Sequence, residues 1–470
     1  MITSSAIALR RWFGSTAVLL GLCFLNGCPG CADELPSEQP HDAAAGGHDG
    51  SSSTSSTSSS SGGGGGTKPA PFEGWEALAG VPAYCEVYAA SEPETLAPLS
   101  WLDCSDGAPG CRELEINWDA PASPYLFYPG PLTGAATPSG LVLVIDRRLG
   151  GELADWRELL VARIDGPVLS ALRSRDPINT VEPCSAAYPA IGGGRVVAGL
   201  IDWTLDDPAL REHELEVPLT GGVPTVFSTL SEETLHGNFG SNRSPGTEFM
   251  AMAYSPAAQV LIVPYDGSAP TVFAKFSMQN PWGPNHPVAV GPDVLFWADH
   301  ADRTREHVYH SLTGVTETFI EVSGADVGPV MTDDQKLVWL QVSPPKAQGS
   351  PTSVELWSSP VATTPAGLVP QKEADLAPSL WNDEAHFESD LVVLRDVSWS
   401  RNYVLRLADL VYWTLDAPAG MSWGKTLYAA ADEVAMPVQP PAKQSETTTI
   451  RRLALAELGA PQPLSGPLGE

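Results

Sequence analysis

Short apolar runs that end at an aspartate recur along this chain: Leu141 to Asp146, Val196 to Asp202, Val294 to Asp299, Leu391 to Asp396 and Leu427 to Asp432. Runs this short, with no helical spacing of their apolar positions, read as buried β-strands. No segment carries a 3.6-residue apolar period long enough for paired helices, which excludes a helical solenoid. Three units share an entry in which Pro precedes the end of the run by 12 or 13 residues: Tyr188-Pro189, His286-Pro287 and Gly328-Pro329. Proline lacks the ladder donor and is expected here at the first residue of a strand.

A second marker follows each run. Ile164-Asp165-Gly166, Leu219-Thr220-Gly221, Tyr265-Asp266-Gly267 and Leu312-Thr313-Gly314 are hairpin turns, with weaker counterparts at Ser359, Ala408 and Ala456, and the intervals between them run from 46 to 55 residues. A period in the forties with about four short strands per unit is the signature of a β-propeller. Each four-stranded unit has two apolar faces and cannot hide both alone, so neighbours must stack around an axis. The intervals point to an all-β propeller of seven blades, with six or eight as the adjacent alternatives. Trp203, Trp297, Trp339 and Trp357 fall in or beside these runs and read as blade core. The last repeat lacks a good outer strand, because Gly459 to Leu464 contains prolines; Arg112 to Trp118 is the segment expected to complete that blade.

Gly328-Pro329-Val330-Met331-Thr332-Asp333-Asp334-Gln335-Lys336-Leu337-Val338-Trp339 resembles a TolB-type propeller repeat in degenerate form, and Met252-Ala253-Tyr254-Ser255-Pro256 is a fainter echo without the Asp-Gly that usually follows. The resemblance implies a periplasmic binding and scaffolding module and leaves the partner open.

The N-terminus has a different grammar. Arg10-Arg11 precedes an apolar stretch from Ser15 to Leu25, and Leu25-Asn26-Gly27-Cys28 follows. A charged n-region, a short apolar h-region and small residues at the cut define an export signal, and the apolar stretch is too short to span a bilayer. The tetrapeptide resembles a bacterial lipobox, which implies cleavage after residue 27 and lipidation of Cys28. Pro29, where Asp would retain such a protein at the inner membrane, implies the outer membrane, on its periplasmic face or at the cell surface. Arg10-Arg11-Trp12-Phe13 also resembles a twin-arginine motif, although Leu9 stands where Ser or Thr is usual, so the export route stays open. From Cys28 to about residue 70 there is no apolar period, and Ser51 to Gly66 contains only Ser, Thr and Gly, the composition of a disordered tether. The expected organisation is a signal peptide at 1–27, a tether at 28–70, an N-terminal disulfide-containing segment at 71–124 and the propeller at 125–470.

Composition agrees with a turn-rich all-β protein, with 44 Gly and 44 Pro in 470 residues and 17% charged. The net charge of −30 becomes about −32 once Arg10 and Arg11 are removed. Such a surface repels nucleic acid and anionic lipid alike, leaving membrane attachment to the acyl-modified terminus. Of seven cysteines, Cys85, Cys104, Cys111 and Cys184 lie in the folded part, where an oxidising compartment favours disulfides. The turn-forming loop between Cys104 and Cys111 makes that pair the first choice, with Cys85 and Cys184 left to each other. Among these four cysteines no CxxC is present and no His stands at ligand spacing, so neither a metal site nor a cofactor is expected.

No His-Glu-x-x-His and no Gly-x-x-x-x-Gly-Lys-Ser/Thr phosphate loop occurs. His300, His307 and His310 cluster near Asp299 and Asp302, but residues three apart on a strand point to opposite faces, so the two distal histidines do not share an ion. Leu235 to Gly246, holding His236, Asn238, Asn242 and Arg243 among three glycines, reads as a polar loop. At the axial channel, where propellers usually bind, the candidate ligand-binding residues are Tyr188, His236, His286 and His386. The resulting expectation is a binding or scaffolding module for an unidentified protein or carbohydrate. The alternatives are an envelope hydrolase or lyase working at the axis, and carbohydrate recognition through exposed tryptophans.

Overall fold

A computed structural model describes residues 72–117, 133–137, 140–153, 155–175, 184–202, 211–231, 242–254, 259–275, 284–290, 293–299, 305–310, 316–320, 322, and 325–469 apart from 329, 334, 345–350, 363–364, 381–384, 431 and 440–446. Nearly all regular structure among them is antiparallel strand. Six sheets are blades built from consecutive chain. Blade one uses Thr133–Thr137, Gly140–Arg148, Trp156–Arg163 and Val168–Arg175, and blade two Cys184–Gly192, Arg195–Asp202, Arg211–Pro218 and Thr225–Ser231. Blade three runs from Asn242–Pro245 to Thr271–Lys275, and blade four from Pro284–Val290 to Thr316–Ile320. Blade five runs from Asp326–Val327 to Gln371–Leu376, and blade six from His386–Glu388 to Val411–Asp416.

The remaining sheet is composite. Tyr428–Ala430, Glu433–Gln439 and Thr447–Ala454 come from the C-terminal end of the chain, and Cys111–Asn117 joins them from the N-terminal side in a register running from Thr447 opposite Asn117 to Leu453 opposite Cys111. The expected closure through the segment beginning at Arg112 is therefore present. The expectation of a seven-bladed propeller is corrected to six blades of continuous chain plus this two-part sheet. The reason lies in the tail: Gln462–Pro463 pairs with Val411–Asp416 of blade six, so the last repeat has no outer strand of its own. Upstream, Trp75–Ala77 and Val87–Ala90 extend blade one at its outer edge. The N-terminal segment is thus woven into the propeller's sheets.

Two sequence expectations shift in detail. The run Leu427 to Asp432 is the innermost strand of its sheet, whereas the runs it was grouped with are second strands; the true second strand, Glu433–Gln439, is disguised by Glu433 and Pro437. The entry prolines also move inward. Pro189 and Pro287 lie inside innermost strands at register shifts, between the partners of Val197 and Gly199 and between Asn285 and Val288, respectively. A bulge is where a strand can lose a ladder donor without leaving a gap in the pairing. Two of the glycine turns behave as read, Gly221 and Gly267 adopting φ of +94° and +80° between the third and fourth strands, whereas Gly166 turns without a positive φ and Gly314 lies outside the described residues.

Each junction between neighbouring sheets carries its own apolar cluster. Val142, Val144, Val196 and Leu215 join blades one and two. Between blades five and six the same role falls to Leu340, Leu356, Val392 and Leu405. Leu143, Leu160, Ile116 and Ile450 close the ring between blade one and the composite sheet. Trp339 and Trp423 are fully buried, and Trp357 is half-buried. Trp203 and the side chain of Trp297 lie outside the described residues.

Candidate functional site

Among the four axial candidates, only His386 has a described side chain. His236 lies outside the described residues, and for Tyr188 and His286 only the strands that carry them are described, Cys184–Gly192 and Pro284–Val290. His386 opens the innermost strand of blade six, and its Nε2 lies 3.3 Å from Glu388 Oε2, two residues along the same strand. Glu388 reaches across to two neighbours: it accepts the backbone N–H of Ala429 on the composite sheet at 2.9 Å and that of Ala136 on blade one. One carboxylate therefore ties three innermost strands together. Both of its oxygens are engaged in ground-state hydrogen bonds, which suits it to holding the axis rather than to moving protons. The sequence contained this group, but its partners lie 252 and 41 residues away.

A second concavity lies at the rim, on the side of the third-to-fourth strand turns. It is an open groove of about 990 Å³ beside the disulfide loop, lined by Asp103, Arg112, Asp165, Glu433 and Arg452. The Cys104–Cys111 disulfide is formed, and Cys85 is disulfide-bonded as well; the side chain of Cys184 lies outside the described residues. In the groove Arg452 pairs with Glu433 at 2.6 Å and with Asp165 at 2.7 Å. Its guanidinium holds the Asp165 carboxyl below the usual range. Tyr428 donates to Glu433 at 3.0 Å, and burial pushes its phenol far up. Arg112 donates to the Trp101 carbonyl at 2.9 Å. The groove's charges are thus largely spent on one another.

A third cluster was invisible as such in the sequence. Arg243, read there as part of a polar loop, stands on Asn242–Pro245, the innermost strand of blade three, and is wholly buried against Glu212 and Glu214 of blade two. Arg243 donates to both oxygens of Glu214 at 2.9 Å and also pairs with Glu212. Burial, with the Glu212 charge adding and Arg243 opposing, pushes the Glu214 carboxyl up to about 7. Glu212 Oε2 is buried without a hydrogen-bond partner. Gly199 makes the room, since a Cβ there would overlap Arg243 and Glu212. The alternation Glu212-His213-Glu214-Leu215-Glu216 reads as a solvated stripe, and only the neighbouring blade turns it into an interior face. On the opposite face His213 sits 3.5 Å from Asp202, and burial holds its imidazole below the ordinary value.

No protein-family model and no curated protein sequence matches the chain. Solved structures similar to it include the β-propeller domain of the trilobed protease from Pyrococcus furiosus, 9% identical over 69% of this chain and 94% of that one with a TM-score of 0.40. The GH93 α-L-arabinofuranosidase of Fusarium graminearum is 11% identical over 73% of this chain and 98% of that one, with a TM-score of 0.33. An acylaminoacyl peptidase is 8% identical over 65% of this chain and 49% of its own length, with a TM-score of 0.40. These likenesses concern architecture alone.

Proposed function

We propose that this protein is a bacterial lipoprotein of the cell envelope, anchored through Cys28 at the outer membrane, whose TolB-type propeller serves as a binding or scaffolding module at the end of a Ser/Gly tether. The observation that carries the binding reading over a catalytic one is Glu388: the carboxylate facing the axis is committed to backbone amides of two other sheets and an imidazole. A ring whose described axial carboxylate is spent on its own strands has its rim loops left for recognition. The net charge of −30 favours partners other than nucleic acid or bare anionic lipid. The test is fractionation with fatty-acid labelling. Wild-type protein is expected to carry label and sediment with membranes, whereas Cys28→Ser is expected unlabelled in the soluble fraction; firm membrane association of the variant would reject the lipid anchor.

A further inference from the structure

The loop between the second and third strands of blade six, Asp396 to Ser400, exposes Val397 and Trp399, which are 59% and 44% accessible. Trp399 adopts φ +60°. A bulky residue in the left-handed region is strained by about 1–3 kcal/mol, and such strain persists only where surrounding structure imposes it. The imposition is visible. Trp399 N–H donates to the Asp396 carbonyl at 2.9 Å, its own carbonyl accepts Trp423 N–H at 2.8 Å, and the Ser398 and Ser400 hydroxyls bond each other at 2.6 Å. One face of the indole rests on the buried Arg395 guanidinium, 4.4 Å from the ring centroid, and Arg395 is itself held by the Trp423 carbonyl at 3.3 Å. The ring is a fixed plate with one face backed by a cation and much of its surface open to solvent.

Two residues past Trp423 stands Lys425. Its surface is accessible, yet protein surrounds it closely enough that desolvation, with the Arg395 charge adding, holds its ammonium below the ordinary lysine value. Among the described residues it has no carboxylate partner. In a chain with 56 acidic and 26 basic residues, Lys425 offers an exposed cation near Arg395, with the Asp396 carboxylate on the neighbouring loop.

We infer that the Trp399, Arg395 and Lys425 corner of blade six binds a carboxylated sugar, the indole stacking on the pyranose ring and the Lys425 ammonium meeting the carboxylate. Two exposed apolar side chains fall far short of the roughly 800 Å² per partner of a protein interface, whereas one indole face matches one sugar ring. The Ser398 and Ser400 hydroxyls and the Asp396 carboxylate beside the plate suit ring hydroxyls. The inference rests on reading the propeller as a binding module, and its test is separate from that of the lipid anchor.

Calorimetric titration of the full-length protein with trigalacturonate, maltotriose and AMP decides it. Trigalacturonate is expected to bind, with maltotriose and AMP at least about tenfold weaker, a difference of about 1.4 kcal/mol. Trp399→Gly, which suits the left-handed backbone and so keeps the fold, is expected to weaken binding about tenfold or more. Lys425→Met is expected to weaken it severalfold and to flatten its salt dependence. Absence of heat with trigalacturonate into the millimolar range, equal binding of maltotriose, preference for AMP, or indifference to Trp399→Gly would each overturn the assignment. Any of these outcomes leaves the membrane association of the wild-type chain, and with it the envelope reading, unaffected.

Discussion

The junction between blades two and three and the junction between blade six and the composite sheet close the same kind of gap with opposite chemistry. At the second, Leu391, Val393, Val404, Trp413, Val434 and Met436 interdigitate, and the Cys104–Cys111 disulfide lies in the same cluster. At the first, a smaller apolar cluster of Val197, Met250, Met252, Leu261 and Val263 is flanked by the Arg243, Glu212 and Glu214 triad. An apolar junction gains by area and tolerates any filling of about the right volume. A charged junction carries a desolvation cost that only complete pairing offsets. Blade stacking therefore asks for complementarity between faces, and hydrophobic faces are one way to meet it.

Removing the cation is the harshest test of this contrast. Arg243→Met leaves two buried carboxylates without a counter-charge and is expected to cost about 3–5 kcal/mol in urea unfolding. Changing all three members together, Arg243→Met with Glu212→Leu and Glu214→Leu, is expected to restore most of that loss, since a packed apolar substitute for a buried ion cluster is often neutral or stabilising. A triple variant as unstable as the single one would show that the triad supplies more than charge balance.

A smaller effect is expected at the apolar junction. The disulfide closes a short loop, with partners seven residues apart, so the paired change Cys104→Ser with Cys111→Ser is expected to cost about 2–3 kcal/mol by the chain-entropy argument. If the loss approached that of Arg243→Met, the closing junction would depend on its staple rather than on its packed core. Reductant on the wild-type chain opens the Cys85 disulfide too, so the paired variant is what isolates this staple.

How much of this was legible beforehand follows the same division. The strands Gly140–Arg148, Arg195–Asp202 and Leu391–Arg395 announce themselves because both faces are covered by apolar neighbours, so the run is continuous. The partner strand Cys111–Asn117 could be guessed because the tail visibly lacks an outer strand. What could not be read is anything decided across a junction. Glu212 and Glu214 look solvated until Arg243 is brought onto them from 31 and 29 residues away. Glu388 looks like an ordinary strand end until Ala136 and Ala429 present their amides. Phase was lost at Leu427 to Asp432 for a related reason: Pro437 and Glu433 mask the true second strand, and nothing local marks which strand of a blade a run becomes.

The mildest effect, and the one most specific to the charged junction, is its response to pH. In the unfolded chain Glu214 titrates near 4.5, and in the fold burial raises it to about 7. A carboxyl raised by folding favours the native state while protonated. Its contribution is complete below about 4.5 and fades as pH climbs through about 7, opposite in sign to a surface carboxylate held down by a salt bridge. The acidic surface also destabilises the fold as pH rises, so the decisive quantity is the difference between two chains rather than one slope. Glu214→Gln keeps the shape and one of the two acceptors that face Arg243 while removing the titration. Between pH 5 and 8 the melting temperature of the wild type is expected to fall more steeply than that of Glu214→Gln, the two curves separating between about 4.5 and 7. Parallel curves would mean that Glu214 stays ionised at all these pH values, with Arg243 outweighing the burial of its partner.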